Sequence, residues 1–183
     1  MTTIELRPWS EEDLQLLTQL NAPAMTRYLG GPESEERVLR RHNRYLHDAA
    51  SPVPRIFKIV LEPSHVSAGN VLYWEKSWRG EPIWECGWGV LPEYQGQGIA
   101  GQAVHLLLDK ARSERLHQFM HAFPSVVNTP SNALCRKLGF SLIEECDFEY
   151  PPGQVMRCND WRLELWQARL TEPPDSIYDG EQR

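Results

Sequence analysis

The stretch Glu85-Cys-Gly-Trp-Gly-Val-Leu-Pro-Glu-Tyr-Gln-Gly-Gln-Gly-Ile-Ala100 constrains the fold more than any other part of this 183-residue chain. The run that ends near Val90 has strand character, and an apolar stripe that begins near Gly98 has helix character. Between them, Gln95 to Ala100 form a turn rich in glycine. Gly96 and Gly98 carry no Cβ, so an anion can approach the main chain where a side chain would block it. Several backbone N–H groups can converge at such a turn, and the helix N-terminus adds partial positive charge. The combination predicts a phosphate-binding corner. It is not a P-loop, since no Gly-Lys-Ser/Thr follows, and it lacks the spacing and the acidic residue of a dinucleotide fingerprint.

The rest of the chain places strands and helices on both sides of that corner. Ile4–Arg7 alternates as a half-buried strand does. Ser10 and Asp13 predict a helix start before the stripe Leu14, Leu16, Leu17 and Leu20. Pro23 and Gly30-Gly31-Pro32 interrupt, and a second helix begins near Ser34. Arg55–Leu61, Val66–Trp74 and Pro82–Val90 read as strands of an antiparallel meander, with Lys76–Glu81 as the last turn. Ile99–Arg115 is the strongest helical pattern. Gln118–Phe123 predicts a strand. Thr129 is expected to cap a short helix with Pro130 at its first position, and Gly139 to end it. Phe140–Tyr150 and Val155–Leu165 read as two further strands. Residues 1–170 are expected to form a single α/β (α+β) domain, and 171–183, rich in Pro, Asp and Gly, a flexible tail.

Composition narrows the classes. The net charge of −6 argues against a general nucleic-acid binder, which needs a basic surface, and suits a cationic acceptor. None of the four cysteines forms a CxxC pair or stands at metal-ligand spacing with a histidine, so no metal is expected and the thiols read as reduced. No apolar run opens the chain, and none approaches the ~20 residues that span a bilayer. A cytoplasmic protein with no membrane association is the expectation.

The turn Gln95-Gly-Gln-Gly-Ile-Ala100 fits the Gln/Arg-x-x-Gly-x-Gly/Ala signature of the GNAT superfamily of acyl-CoA-dependent N-acetyltransferases, and the preceding Val-Leu-Pro-Glu-Tyr resembles the family's run into it. Asn128-x-x-Ser131 followed by Lys137-Leu-Gly-Phe140 resembles the family's later helix and Gly-Phe segment. Leu6-Arg-Pro with Glu12-Asp-Leu14 looks like the ribosomal-protein-acetyltransferase-like branch. The matches fall in family order over residues 4–165. The resemblance implies a mixed, mostly antiparallel sheet of about seven strands with about four helices, splayed between the fourth and fifth strands. Acetyl-CoA (coenzyme A) would lie in that split. Its pyrophosphate would rest on the amides of Gln95, Gly96, Gln97, Gly98, Ile99 and Ala100, and its pantetheine arm would add like a strand to the backbone around Trp88, Val90 and Leu91. Asn128 and Ser131 match the pantetheine-facing pair, with Asn132 as the alternative.

The resemblance also implies direct acetyl transfer from acetyl-CoA to a primary amine of a small molecule or peptide. Glu85 stands about where many members carry the catalytic base, with Trp84, Trp88 and Phe123 expected to dry its surroundings. A backbone amide near Val90 or Leu91 would hold the oxyanion. The family's acid tyrosine is replaced here by Cys135, which leaves Cys135, Ser131 and water as candidates for that role. His121 reads either as a cleft residue or as a satisfied core histidine, and Arg37, Arg40, Arg41 and Arg44 as a solvated helix face or an anion site. Acceptor specificity is expected from Pro23–Pro32, Lys76–Glu81 and Tyr150–Met156, with Trp74, Trp78, Trp84 and Trp88 lining the pocket or packing the core. The competing readings are a protein N-terminal acetyltransferase and a non-catalytic acyl-CoA-binding sensor or interaction module. A homodimer is possible.

Overall fold

A computed structural model describes residues 3–150 and 152–167. Residue 151 and the tail expected from 171 onward lie outside the described residues. Seven strands form one sheet: β1 (Thr3–Pro8), β2 (Ile56–Glu62), β3 (Val66–Trp78), β4 (Glu81–Val90), β5 (Phe119–Ala122), β6 (Ser141–Glu149) and β7 (Val155–Glu164). Their spatial order is β1-β2-β3-β4-β5-β7-β6. Every neighbouring pair is antiparallel except β4 and β5, which run parallel because α4 carries the chain back across the sheet. The described residues hold five α-helices, against about four expected: α1 (Leu14–Leu20), α2 (Pro23–Thr26), α3 (Glu35–Ala49), α4 (Ile99–Glu114) and α5 (Thr129–Lys137). None of them is long and apolar enough to cross a membrane.

Strand alternation sorts the core into two faces. Val71, Tyr73, Trp84, Cys86, Val90 and Met120 point to one face and pack against Ile99, Ala103, Val104, Leu107 and Cys135 of α4 and α5. Leu107 is fully buried, and sequestering a side chain of that size contributes about 2 kcal/mol. The opposite face is divided. Near β2 it is covered by Leu16, Leu17 and Leu20 of α1 with Val38 and Tyr45 of α3. Toward the far edge it carries a smaller cluster of Cys146, Phe148 and Cys158, with Trp78 and Phe123 against it.

Two local features differ from the sequence expectation. The turn placed at Lys76–Glu81 is only Arg79-Gly80, both left-handed (φ 53° and 85°), so β3 runs on to Trp78 and keeps Lys76 and Trp78 in the sheet. Such a mirror-image turn matches strand twist, which lets the hairpin extend. The cap of α5 is Asn128, whose side-chain oxygen accepts from the Ser131 amide at 3.3 Å, and Thr129 and Pro130 are already helical. Asp13 is buried and accepts from the amide and hydroxyl of Ser10 at 2.7 and 2.8 Å, while Lys58 Nζ lies 2.9 Å away. Gly139 ends α5 with φ 85°, as a left-handed terminator does.

Candidate active site

The corner after β4 has the backbone form an anion needs. Gly96 and Gly98 have φ 73° and 79°, a region that costs most residues strain. A Cβ at either would meet nothing within 4 Å, so the requirement for glycine is conformational and the space beside both is open. Gly98 caps α4, and the first amides of that helix have no carbonyl a turn earlier to bond. Ile99 buries its side chain in the core, which fixes the helix start, while Gln95 to Gly98 are exposed. Gln95 Nε2 donates to the Val90 carbonyl at 2.8 Å and ties the turn to the end of β4. Gln97 Nε2 donates to the Glu93 carbonyl at 3.1 Å.

The sheet opens where that corner begins. β4 pairs with β5 only at Trp84↔Met120 and Glu85↔His121. Beyond Glu85 the strands part, and the β4 edge from Cys86 to Val90 faces the gap. The direction of its amides follows from the other edge. Leu91 donates its N–H to the Ala68 carbonyl at 2.8 Å, so odd-numbered residues of β4 turn their backbone groups toward β3 and even-numbered ones toward β5. This removes Leu91 from the expected oxyanion donors and leaves the amides of Trp88 and Val90 at the gap. Free amides, left-handed glycines and an unpaired strand edge fit the pyrophosphate and pantetheine of coenzyme A.

On the far side of the gap, α5 presents Asn128 and Ser131, both half-buried. Asn132 is buried and fully engaged. Its oxygen accepts from Asn159 Nδ2 and Trp161 Nε1 at 2.7 Å each, and its nitrogen donates to the carbonyls of Ser125 and Asn128 at 2.9 and 2.8 Å. It is therefore a structural bolt between α5 and β7 and not a free alternative to Asn128. Cys135 has no exposed surface, and burial pushes its thiol up to about 12. A thiol so reluctant to ionise is a poor proton donor at neutral pH.

Glu85 faces away from α4 and α5, with Gly87 and Gly89. Trp84 and Trp88 therefore lie across the sheet from its carboxylate and do not dry it, contrary to the expectation. Trp74 and Trp78 share its face, so the four tryptophans divide by strand parity. Glu85 is 7% exposed. Burial raises its carboxyl above the ordinary range, opposed by the Lys76 ammonium 2.9 Å from Oε2. Lys76 Nζ in turn sits 4.1 Å above the Phe148 ring. Trp74 packs over Gly87, where a Cβ would lie 3.5 Å from its ring, and a Cβ at Gly89 would come within 3.1 Å of Leu20 Cδ2 and Asn70 Oδ1.

Two buried polar residues complete this face. His121 Nδ1 lies 2.6 Å from Asp160 Oδ1, and Asp160 Oδ2 accepts from Trp78 Nε1 at 2.9 Å. Sequence reading raised His121 but missed Lys76 and Asp160. Lys76 reads from the sequence as a turn residue, and Asp160 comes into place only through the pairing of β7 with β5. A small cavity of about 30 Å³ lies near Asn21, Thr26, Glu33, Arg41 and Tyr150. There Arg41 pairs with Glu33 at 3.0 Å, while Arg37, Arg40 and Arg44 are exposed. No cluster of His, Cys, Asp or Glu able to hold a metal ion occurs among the described residues.

Known proteins share this fold. Residues 3–141 match the family model described as "Acetyltransferase (GNAT) domain". The chain is 28% identical over 120 residues to the "Uncharacterized N-acetyltransferase YnaD" of Bacillus subtilis (strain 168). That match covers 63% of this chain and 64% of the relative's own length. A GNAT-family acetyltransferase from Bacillus anthracis superposes with a TM-score of 0.72 at 19% identity, covering 90% of this chain and 99% of that one. The putative acetyltransferase yncA from Salmonella typhimurium, solved with its cofactor acetyl-CoA, superposes with a TM-score of 0.68 at 20% identity, covering 96% and 99%. The chain belongs to the GNAT acetyltransferase domain family.

Proposed function

We propose that this chain transfers an acetyl group from acetyl-CoA directly to a primary amine of a small molecule or peptide. The observation that carries the reading is the parting of β4 from β5 immediately beyond Glu85↔His121, with the glycine corner at the open end. The amides from Gln95 to Ala100 hold the pyrophosphate. The pantetheine lies along the β4 edge at Trp88 to Val90, with Asn128 and Ser131 across from it. The thioester supplies an activated acyl carbon, and the amine nitrogen forms the new bond as the C–S bond breaks. The Val90 amide, aimed at the gap, stabilises the oxyanion. Glu85 takes the proton from the amine, and its burial keeps the carboxylate basic enough to do so. Ser131 or water returns a proton to the sulfur; Cys135 is too deeply buried for that role.

Several further features support finer parts of this reading. Acceptor selection falls to the α2 segment and the β6–β7 hairpin, which meet where Tyr150 stands with Thr26 and Leu29 around the small cavity. Four buried free thiols suit the reducing cytosol. Leu142 and Ile143 stand exposed on edge strand β6 and offer a surface for a second copy. Release of CoA from acetyl-CoA in the presence of a panel of primary amines and peptides tests the activity. Acetyl-CoA binding with no CoA release from any of them would establish the non-catalytic binding module instead.

A further inference from the structure

We propose that His121 is a second proton acceptor of this site and that Asp160 holds its ring in the tautomer this work requires, an inference that rests on the acetyl-transfer reading above. His121 is the ladder partner of Glu85 in the short parallel pairing of β4 with β5, and both side chains lie on the acceptor face. Asp160 is 1% exposed and takes two hydrogen bonds, from Trp78 Nε1 at 2.9 Å and from His121 Nδ1 at 2.6 Å. An indole nitrogen only donates, and a carboxylate only accepts. With Asp160 as a carboxylate, the proton of the short contact belongs to Nδ1. The neutral ring then carries its lone pair on Nε2, which has no hydrogen-bond partner among the described residues. The ring cannot turn freely, because Phe123 stacks on it at 5.8 Å and Trp78 packs on Phe123 at 4.7 Å.

A buried histidine–carboxylate pair is expensive to desolvate, and an apolar pair would fill the same space at lower cost. Its place beside Glu85 gives it a use. An ammonium acceptor loses two protons on becoming an amide. One ends on the sulfur of CoA and the other leaves to solvent, so the net reaction releases one proton. Lys76 Nζ lies 2.9 Å from Glu85 Oε2, and a single carboxylate takes up one proton, not two. Nε2 of His121 is the adjacent acceptor. The charged and titratable groups that face it are Glu85 of β4, Lys76 of β3, and Asp160 and Arg162 of β7. Cys146 and Cys158 lie on the same face with thiols that burial pushes up to about 11, so they stay neutral.

The decisive variant is His121→Asn, whose amide nitrogen stands where Nδ1 stood and can still donate to Asp160, while Nε2 is lost. With n-butylamine, benzylamine and an alanine-initiated peptide as probes, the variant is expected to keep the full acetyl-CoA-induced rise in Tm. It is expected to lose at least tenfold in kcat at pH 7, with a changed acid limb of the pH profile. Imidazole 15N spectra of the unaltered chain are expected to show the Nδ1–H tautomer. Asp160→Asn is expected to abolish that preference and lower kcat while KM holds. Wild-type kcat and pH profile in His121→Asn, or an Nε2–H ring in the unaltered chain, would overturn the proposal alone. No CoA release by the unaltered chain with any probe would instead remove the acetyl-transfer reading, and this inference with it.

Discussion

The amide of Leu91 donates to the carbonyl of Ala68 at 2.8 Å, and that bond sets the direction of every backbone group at the end of β4. With Leu91 turned toward β3, Val90 must turn its N–H toward the gap that opens before β5.

Replacing the residue-90 amide by an ester, with the valine side chain kept, should therefore lower kcat by about 10²–10³-fold, the usual cost of one oxyanion donor. Folding stability should barely move, since that amide has no ladder partner. The same exchange at residue 91 should reverse the pattern and cost about 1 kcal/mol of stability with little loss of kcat. Single-turnover kinetics and denaturant titration on the two esters separate the outcomes.

Glu85 should govern the acid limb of activity. Burial raises its carboxyl, so protonation, and with it loss of activity, begins at higher pH than the ordinary value of ~4.3 for a glutamate. The folded chain also binds this proton more tightly than the unfolded chain. The stability contributed by the group is thus fully present below the unfolded value and is lost as pH rises toward the folded one. Glu85→Gln should lower kcat and flatten the acid limb of kcat/KM. An unaltered pH–rate profile in that variant would remove Glu85 from catalysis.

Gly69 is required by the approach of β3 to β4. A Cβ there would lie 2.0 Å from the Gly89 carbonyl oxygen, a contact that only a shift of one strand relieves. Gly69→Ala should cost about 1–3 kcal/mol, as overpacking does, or roughly 2–12 °C in Tm for a chain of this size. It should also weaken acetyl-CoA binding by moving the β4 edge.

Asn128 and Asn132 should part company under mutation. Asn132→Ala strands the donors of Asn159 and Trp161 and should cost about 2–4 kcal/mol of stability. Asn128→Ala loses a helix cap, worth about 1 kcal/mol, and should raise the KM for acetyl-CoA. Thermal melts with parallel kinetics distinguish the two positions.

The strands, the long α4 and the glycine corner were legible because each is encoded locally, by period-two alternation, by an apolar stripe, and by Gly96 and Gly98 between Val90 and Ile99. The family signature added the split between β4 and β5, which no local pattern encodes. What remained hidden depends on pairing. Lys76 reads as a turn residue until Arg79-Gly80 is seen to make the hairpin, which carries β3 past it. The face to which Glu85 points was undecidable from alternation alone, and it is set by α4 and α5 covering Trp84 and Cys86. Asp160 reaches His121 only because β7 lies beside β5, some 39 residues away in sequence.

The most direct test of the central claim is a thermal melt of the full chain with and without acetyl-CoA. At ~100 times its dissociation constant a ligand adds about 2.7 kcal/mol, which for a chain of this size raises Tm by roughly 5–11 °C. The proposed cofactor site on Gly96 and Gly98 predicts that rise, and its absence in a folded Gly98→Asp variant, where a carboxylate would meet the pyrophosphate. An unchanged Tm of the unaltered chain at millimolar acetyl-CoA, or an equal rise in Gly98→Asp, would contradict it.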